Sequence, residues 1–176
     1  FVEGNVRRNW DRVMFTDRKK FYFSFPGQSV GRVRWRESGE EDAVPKPNNP
    51  SCLNVYGGIT RWGTTDLIIV SGSTGHRSDY VNQKGAPARN ITAAEYKDVC
   101  RLLLYEGSRL FSGRGSCEWT FQQDGDPTHA VAHNIIASYN LERTACVELL
   151  QGWPGNSPDL NLIENVWSWV QAEVNK

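Results

Sequence analysis

The chain has 176 residues, 39% of them hydrophobic, which suits a single domain with its own core. Its 20 basic and 20 acidic residues cancel, so bulk charge gives no reason to propose a nucleic-acid partner. No apolar run approaches the roughly 18 residues of a membrane span, and the opening FVEGNVRRNW lacks the apolar core of a signal peptide; an intracellular protein without membrane contact is expected.

The charge is unevenly distributed. Nine Lys and Arg fall between Phe1 and Arg36 (Arg7, Arg8, Arg12, Arg18, Lys19, Lys20, Arg32, Arg34 and Arg36), against only Glu3, Asp11 and Asp17. Interleaved with Trp10, Phe15, Phe21, Tyr22, Phe23 and Trp35, such a segment can track a phosphate backbone, or equally serve as a solvated face. Strand-like runs follow at Arg12 to Thr16, Phe21 to Phe25, Cys52 to Ile59 and Asp66 to Val70. Polar connections rich in Pro or Gly separate them, at Glu37 to Ser51 and at Ser71 to Asn90; the second is long for a compact domain, which points to function or mobility.

Thr92 and Glu95 have capping-box spacing, and Tyr96, Val99, Cys100, Leu103 and Leu104 recur behind them on one helical face, predicting a helix to about Leu110. A strand is expected at Glu118 to Gln122, a helix around Ala130 to Tyr139, a short strand near Cys146 to Leu150, and a closing helix from Pro158 with Ile163, Val166, Trp167, Val170 and Val174 on one stripe. The fold class is therefore α/β, with a mixed central sheet of about five strands flanked by helices. Cys52, Cys100, Cys117 and Cys146 are widely spaced and have no zinc-ligand pattern, so they read as reduced core residues.

Ligand chemistry in such sheets gathers at strand ends. Asp17 stands just past the first predicted strand, Asp124 just past the fifth, and Glu164 in the first turns of the last helix. Three acids converging on one sheet edge would suit Mg²⁺, which takes few protein carboxylates and keeps water and phosphate as its other ligands. Each acid also has a structural use: Asp17 as a turn residue, Asp124 or Asp126 as a helix N-cap, and Glu164 as the capping partner of Asn161.

VMFTDRKKF, VYGGITRWG, WTFQQDGDPTH and WPGNSPDLNLIENVWSWV stand in that order along the chain. Together they resemble the catalytic domain of Tc1/mariner-family transposases, within the DDE/D enzymes of retroviral-integrase type. The resemblance runs over the whole chain, with residues 1–10 similar to the end of the linker that precedes the domain and 11–176 to the domain itself. It implies an RNase H-like fold. The family's three catalytic, metal-holding acids fall on Asp17, Asp124 and Glu164, with Glu at the third place as in the Tc1-like branch. Asp126, His129 and Asp159 lie inside the motifs as supporting residues; His129 would orient the site or serve as a structural histidine. FTDRKKF departs from the acid-rich first block of the family. The 39 residues between Asp124 and Glu164 also exceed the usual Tc1-like spacing, placing extra loop around Asn140 to Ala145.

By resemblance, the activity is Mg²⁺-dependent cleavage and joining of double-stranded DNA, with Mn²⁺ as a substitute and two ions clamping the scissile phosphate. Arg18, Lys19, Lys20, Arg32 and Arg34 are the expected phosphate contacts. Transposon ends and target DNA are the implied partners, a homodimer the implied assembly of the full-length protein, and the nucleus its location in a eukaryote. Two alternatives are a domesticated, transposase-derived DNA-binding or interaction module without catalysis, and an RNase H-type nuclease.

Overall fold

The structure is a computed structural model that describes residues 8–22, 52–70, 91–115, 117–155 and 157–175. Arg32, Arg34, the expected strand residues Phe23 to Phe25, and the connections Glu37 to Ser51 and Ser71 to Asn90 lie outside the described residues, as do positions 1–7 of the expected linker.

Among the described residues, six strands form one mixed sheet: β1 (Val13–Tyr22), β2 (Cys52–Thr60), β3 (Gly63–Thr64), β4 (Ile68–Val70), β5 (Glu118–Gln122) and β6 (Cys146–Leu149). The order is β3-β2-β1-β5-β6, with β4 also pairing β2. β1 runs antiparallel to β2 from Phe15↔Ile59 to Tyr22↔Cys52, but parallel to β5 only from Val13↔Thr120 to Phe15↔Gln122. β5 and β6 are parallel. Helices α1 (Ala93–Phe111), α2 (Ala132–Arg143) and α3 (Ile163–Val174) complete the domain, giving the mixed sheet and flanking helices expected from the sequence.

Strand alternation sorts the side chains into two layers. Met14 and Tyr56 face α1 and α2, joining Tyr96, Leu103, Leu104, Trp119, Phe121 and Ile135 in the main core. Val55, with Phe21, Leu53 and Ile59, faces the other way and packs against Ile163 and Trp167 of α3. α1 starts at the predicted capping box, with Thr92 accepting from the Glu95 N–H and the Glu95 carboxylate accepting from the Thr92 N–H.

Four boundaries differ from the sequence reading, each for a local reason. Arg12 to Thr16 and Phe21 to Phe25 read as two strands, but β1 is continuous from Val13 to Tyr22 because β2 supplies a partner for every residue from Phe15 onward, polar ones included. Asp17 is therefore a mid-strand residue, not a turn. The second helix begins later, since Pro127 to Val131 is a 3-10 turn capped by Asp126. It also ends later. Asn140 to Arg143 is the last turn of α2, closed by left-handed Thr144 (φ 50°), so most of the expected extra loop is helix. Pro158 opens a 3-10 turn instead of α3, which starts at Ile163.

Gly107 shows how tightly the main layer is packed. A Cβ there would lie 2.5 Å from Cη2 of Trp119, a buried ring stacked on Phe111 at 5.2 Å. Gly107→Ala gains helix propensity of about 1 kcal/mol but overpacks a rigid indole, so a net loss of about 1 to 2 kcal/mol is expected in urea unfolding. A more stable variant would contradict this packing.

Candidate active site

The β1–β5 ladder stops at Phe15↔Gln122, and side chains take over where it ends. The Thr16 N–H donates to Gln122 Oε1 at 3.1 Å, and the Thr16 hydroxyl donates to the Gln122 carbonyl at 2.6 Å. The Thr16 carbonyl accepts from Asn161 Nδ2 at 3.2 Å. All three residues are buried. The approach to α3 is thereby tied to β1 immediately before Asp17, and the β5 terminus is tied to the same residue. Trp153, edge-on to Phe15 at 6.2 Å, helps hold the connection from β6 to α3.

This arrangement puts Asp17 within electrostatic range of acids far from it in sequence. Burial pushes the Asp17 carboxyl up to about 6, against a hydrogen bond from the Arg18 backbone, and the charges of Glu164 and then Asp124 push it the same way. Glu164, half-buried in the first turn of α3, is not spent on capping: the Asn161 N–H goes to the Pro158 carbonyl, and Asn161 Oδ1 accepts from Ile163. Among the described residues no three His, Cys, Asp or Glu side chains are drawn into one coordination cluster. Asp17 nonetheless lies within electrostatic range of both other acids. A partly buried carboxylate facing two further negative charges is a donor set that a hard divalent cation suits, because the cation relieves both the repulsion and the desolvation.

Asp124 is held differently. His129 Nδ1 lies 2.6 Å from Asp124 Oδ1, and that oxygen also accepts from the Asp126 N–H at 3.1 Å. The His129 contact, ahead of the other causes, lowers the Asp124 pKa below the ordinary carboxylate value. Both contacts fall on Oδ1, which leaves Oδ2 for a ligand. The His129 ring is itself fixed, stacked on Tyr96 at 4.0 Å, while the Tyr96 hydroxyl donates to Gln123 and Gln123 donates to the His129 carbonyl.

Asp126 has a separate task. It caps the 3-10 turn by accepting from the Thr128 N–H and hydroxyl, and it pairs with Arg18 at 3.3 Å. Burial raises its pKa, but these Thr128 contacts and the His129 and Arg18 charges outweigh that and lower it. The Arg18 side chain, 18% exposed, points into the α1 face towards Tyr56 and Asp126. Lys19 and Lys20 are partly exposed on β1, and Asp159 is exposed in the 3-10 turn before α3. Sequence reasoning missed the structural parts of Thr16, Gln122 and Asn161. The signal available was three polar residues flanking the acids at positions where a core strand or helix start would otherwise be apolar.

No family model matches the chain. The chain is 30% identical over 169 residues to the Tc3 transposase of Caenorhabditis elegans, covering 95% of this chain and 43% of that protein. It is 30% identical over 173 residues to the Tc1 transposase of the same organism, covering 96% and 54% respectively. The chain thus spans about half the length of the curated relatives it matches. In fold it is similar to the catalytic domain of Mos1 mariner transposase, with a TM-score of 0.59 at 14% identity over 98% of this chain and 66% of that one. It is similar also to a pre-cleavage Mos1 transpososome, at TM-score 0.61 and 16% identity over 97% and 45%. The fold is the RNase H-like fold of a transposase catalytic domain. The chain belongs to the Tc1/mariner transposase family and corresponds to its catalytic domain.

Two measurements check this geometry. The folded state keeps the Asp17 proton at pH values where the unfolded chain has released it, so this group's contribution to stability is full below about pH 4 and is lost as pH rises through about 6. Asp17→Asn in chelator should therefore stabilise the domain by about 1 to 2 kcal/mol at pH 7.5 and change little at pH 4 in urea unfolding; equal stability at pH 7.5 would contradict the charge stress. Asn161→Ala strands the buried Thr16 carbonyl and should cost about 1 to 3 kcal/mol, whereas a neutral result would show that the tie contributes nothing.

Proposed function

We propose that this chain is the catalytic unit of a DNA transposase that cuts DNA strands and transfers them to target DNA, using divalent cations held by Asp17, Asp124 and Glu164. The observation that carries the reading is Asp17: a partly buried carboxyl on a central strand, pushed up to about 6, with the charges of Glu164 and Asp124 bearing on it. The hydrogen bond from the Arg18 backbone opposes that stress without cancelling it, and a cation would relieve it. Family membership supports the same reading. So do the solved Mos1 assemblies, which include a paired-end complex with left transposon end and paired-end complexes with Mn and with Mg.

Bound cations would polarise the scissile phosphate and make an attacking water or 3′-hydroxyl easier to deprotonate. The protein's own residues have distinct parts. His129 and the Asp126 N–H engage Asp124 Oδ1 and keep that carboxylate ionised, presenting Oδ2. Glu164 is held at the start of α3 by the Asn161 tie to β1. Asp126 and Arg18 neutralise each other, so phosphate contacts from β1 fall to Lys19 and Lys20, as backbone contacts without base reading. Arg32 and Arg34 would add to them. Residues 1–10 would be the end of a linker and 11–176 the catalytic domain. The full-length protein would act as a homodimer on transposon ends and target DNA, in the nucleus of a eukaryotic host.

Mn²⁺ uptake followed by electron paramagnetic resonance, paired with nicking of supercoiled plasmid in Mn²⁺, tests this. The native chain should bind Mn²⁺ and nick plasmid slowly, and Asp124→Asn should reduce both to background. A native chain that takes up no Mn²⁺ at millimolar concentration would favour a domesticated binding module. Cleavage of an RNA–DNA hybrid in preference to duplex DNA would favour an RNase H-type nuclease.

A further inference from the structure

Trp167 is 1% exposed and packs under the sheet, but it carries one polar atom. Its Nε1 is buried and completes no well-formed hydrogen bond among the described residues. Desolvating an N–H without an acceptor is costly, so the group it approaches is informative. That group is the Asp17 carboxylate, which the indole N–H approaches across Gly57, the register partner of Asp17.

Two features of the fold allow the approach. Gly57 is the register partner of Asp17, and a Cβ at Gly57 would lie 3.2 Å from Cη2 of Trp167. The missing side chain opposite Asp17 leaves space in which the indole can lie across the sheet. Phe21, on the same face of β1, meets the ring edge-on at 6.4 Å and an interplanar angle of 80°, fixing its plane. Trp167 also stands three residues, about one turn, after Glu164 on α3. One rigid ring therefore spans the helix that presents Glu164 and the strand that presents Asp17.

We propose that Trp167 is a positioning residue for the metal site, its indole N–H orienting the Asp17 carboxylate for a divalent cation. This rests on the metal-binding reading above. The Nε1–H offers the carboxylate a single directional donor that competes weakly with a cation. A ligand oriented in advance loses less freedom on coordination, as with other groups that hold metal ligands from behind.

The test uses the whole chain and two replacements. Trp167→Phe removes the N–H and part of the ring. Benzothienylalanine at position 167 keeps the bicyclic ring and replaces N–H by sulfur, separating hydrogen bonding from packing. In ¹H–¹⁵N spectra the signal missing from Trp167→Phe identifies the Trp167 indole among the seven tryptophans. That signal should shift when Mg²⁺ is added to the native chain and stay unmoved in Asp17→Asn. Mn²⁺ affinity by paramagnetic resonance should fall about tenfold in both replacements, the low end of losses for groups that support a metal ligand. Native Mn²⁺ affinity in the benzothienylalanine chain, or an indole signal indifferent to Mg²⁺ while Mn²⁺ binds, would overturn the positioning role and leave the metal site standing. Absence of Mn²⁺ binding by the native chain would overturn both.

Discussion

Thr16 is the residue on which the arrangement of the acids depends. Its N–H and hydroxyl are held by Gln122 at the end of β5, and its carbonyl is held by Asn161 ahead of α3. Two segments, each more than 100 residues further along the chain, thus meet β1 at one buried peptide, and the next residue along β1 is Asp17. Ordinary ladder hydrogen bonds could not do this, because β1 and β5 stop pairing at Phe15↔Gln122. Side-chain groups extend the link across the gap, and Asp17 stands just beyond it. A buried backbone carbonyl or amide with no partner is costly, so these bonds hold the geometry.

The three acids are not equivalent. Asp124 is drawn towards the ionised form by His129 and the Asp126 amide, whereas Asp17 is pushed towards the neutral form by burial and by the charges of Glu164 and Asp124. A ready anion thus stands within electrostatic range of a reluctant one. A cation would reverse the second effect while using the first. Marginal stability given up around Asp17 is the kind of local cost that functional sites carry and the rest of the fold offsets, here through the dense layer of Tyr96, Leu103, Leu104, Trp119 and Phe121.

Much of this was legible in the sequence where local chemistry decides the outcome. The Thr92–Glu95 box, the strand at Glu118 to Gln122 and the apolar face of α1 rest on periodicity and capping, which neighbours in sequence determine. The motif blocks also pointed to the fold and to which acids to consider. Long-range partners decided the rest. Asp17 to Lys20 read as a break because four polar residues rarely continue a buried strand, yet β2 pairs all of them and the β5 side has ended. Glu164 had the spacing of a capping partner, but Asn161 turns its amide to Thr16 instead. Nor did sequence spacing reveal that Arg18, an expected phosphate contact, pairs with Asp126 more than 100 residues away. The extra residues before Ala145 lengthen α2 because nothing in Asn140 to Arg143 ends a helix before Thr144 takes the left-handed turn.

In the reading proposed above, Asp17, Asp124 and Glu164 form one metal site. The most direct measurement is anomalous diffraction from Mn²⁺-soaked crystals of the native chain and of Asp124→Asn. The account requires peaks within coordination distance of Asp17 and of Asp124 or Glu164 in the native protein, and their loss in the variant. Carboxylates that stay apart with no peak between them, even with DNA bound, would contradict it.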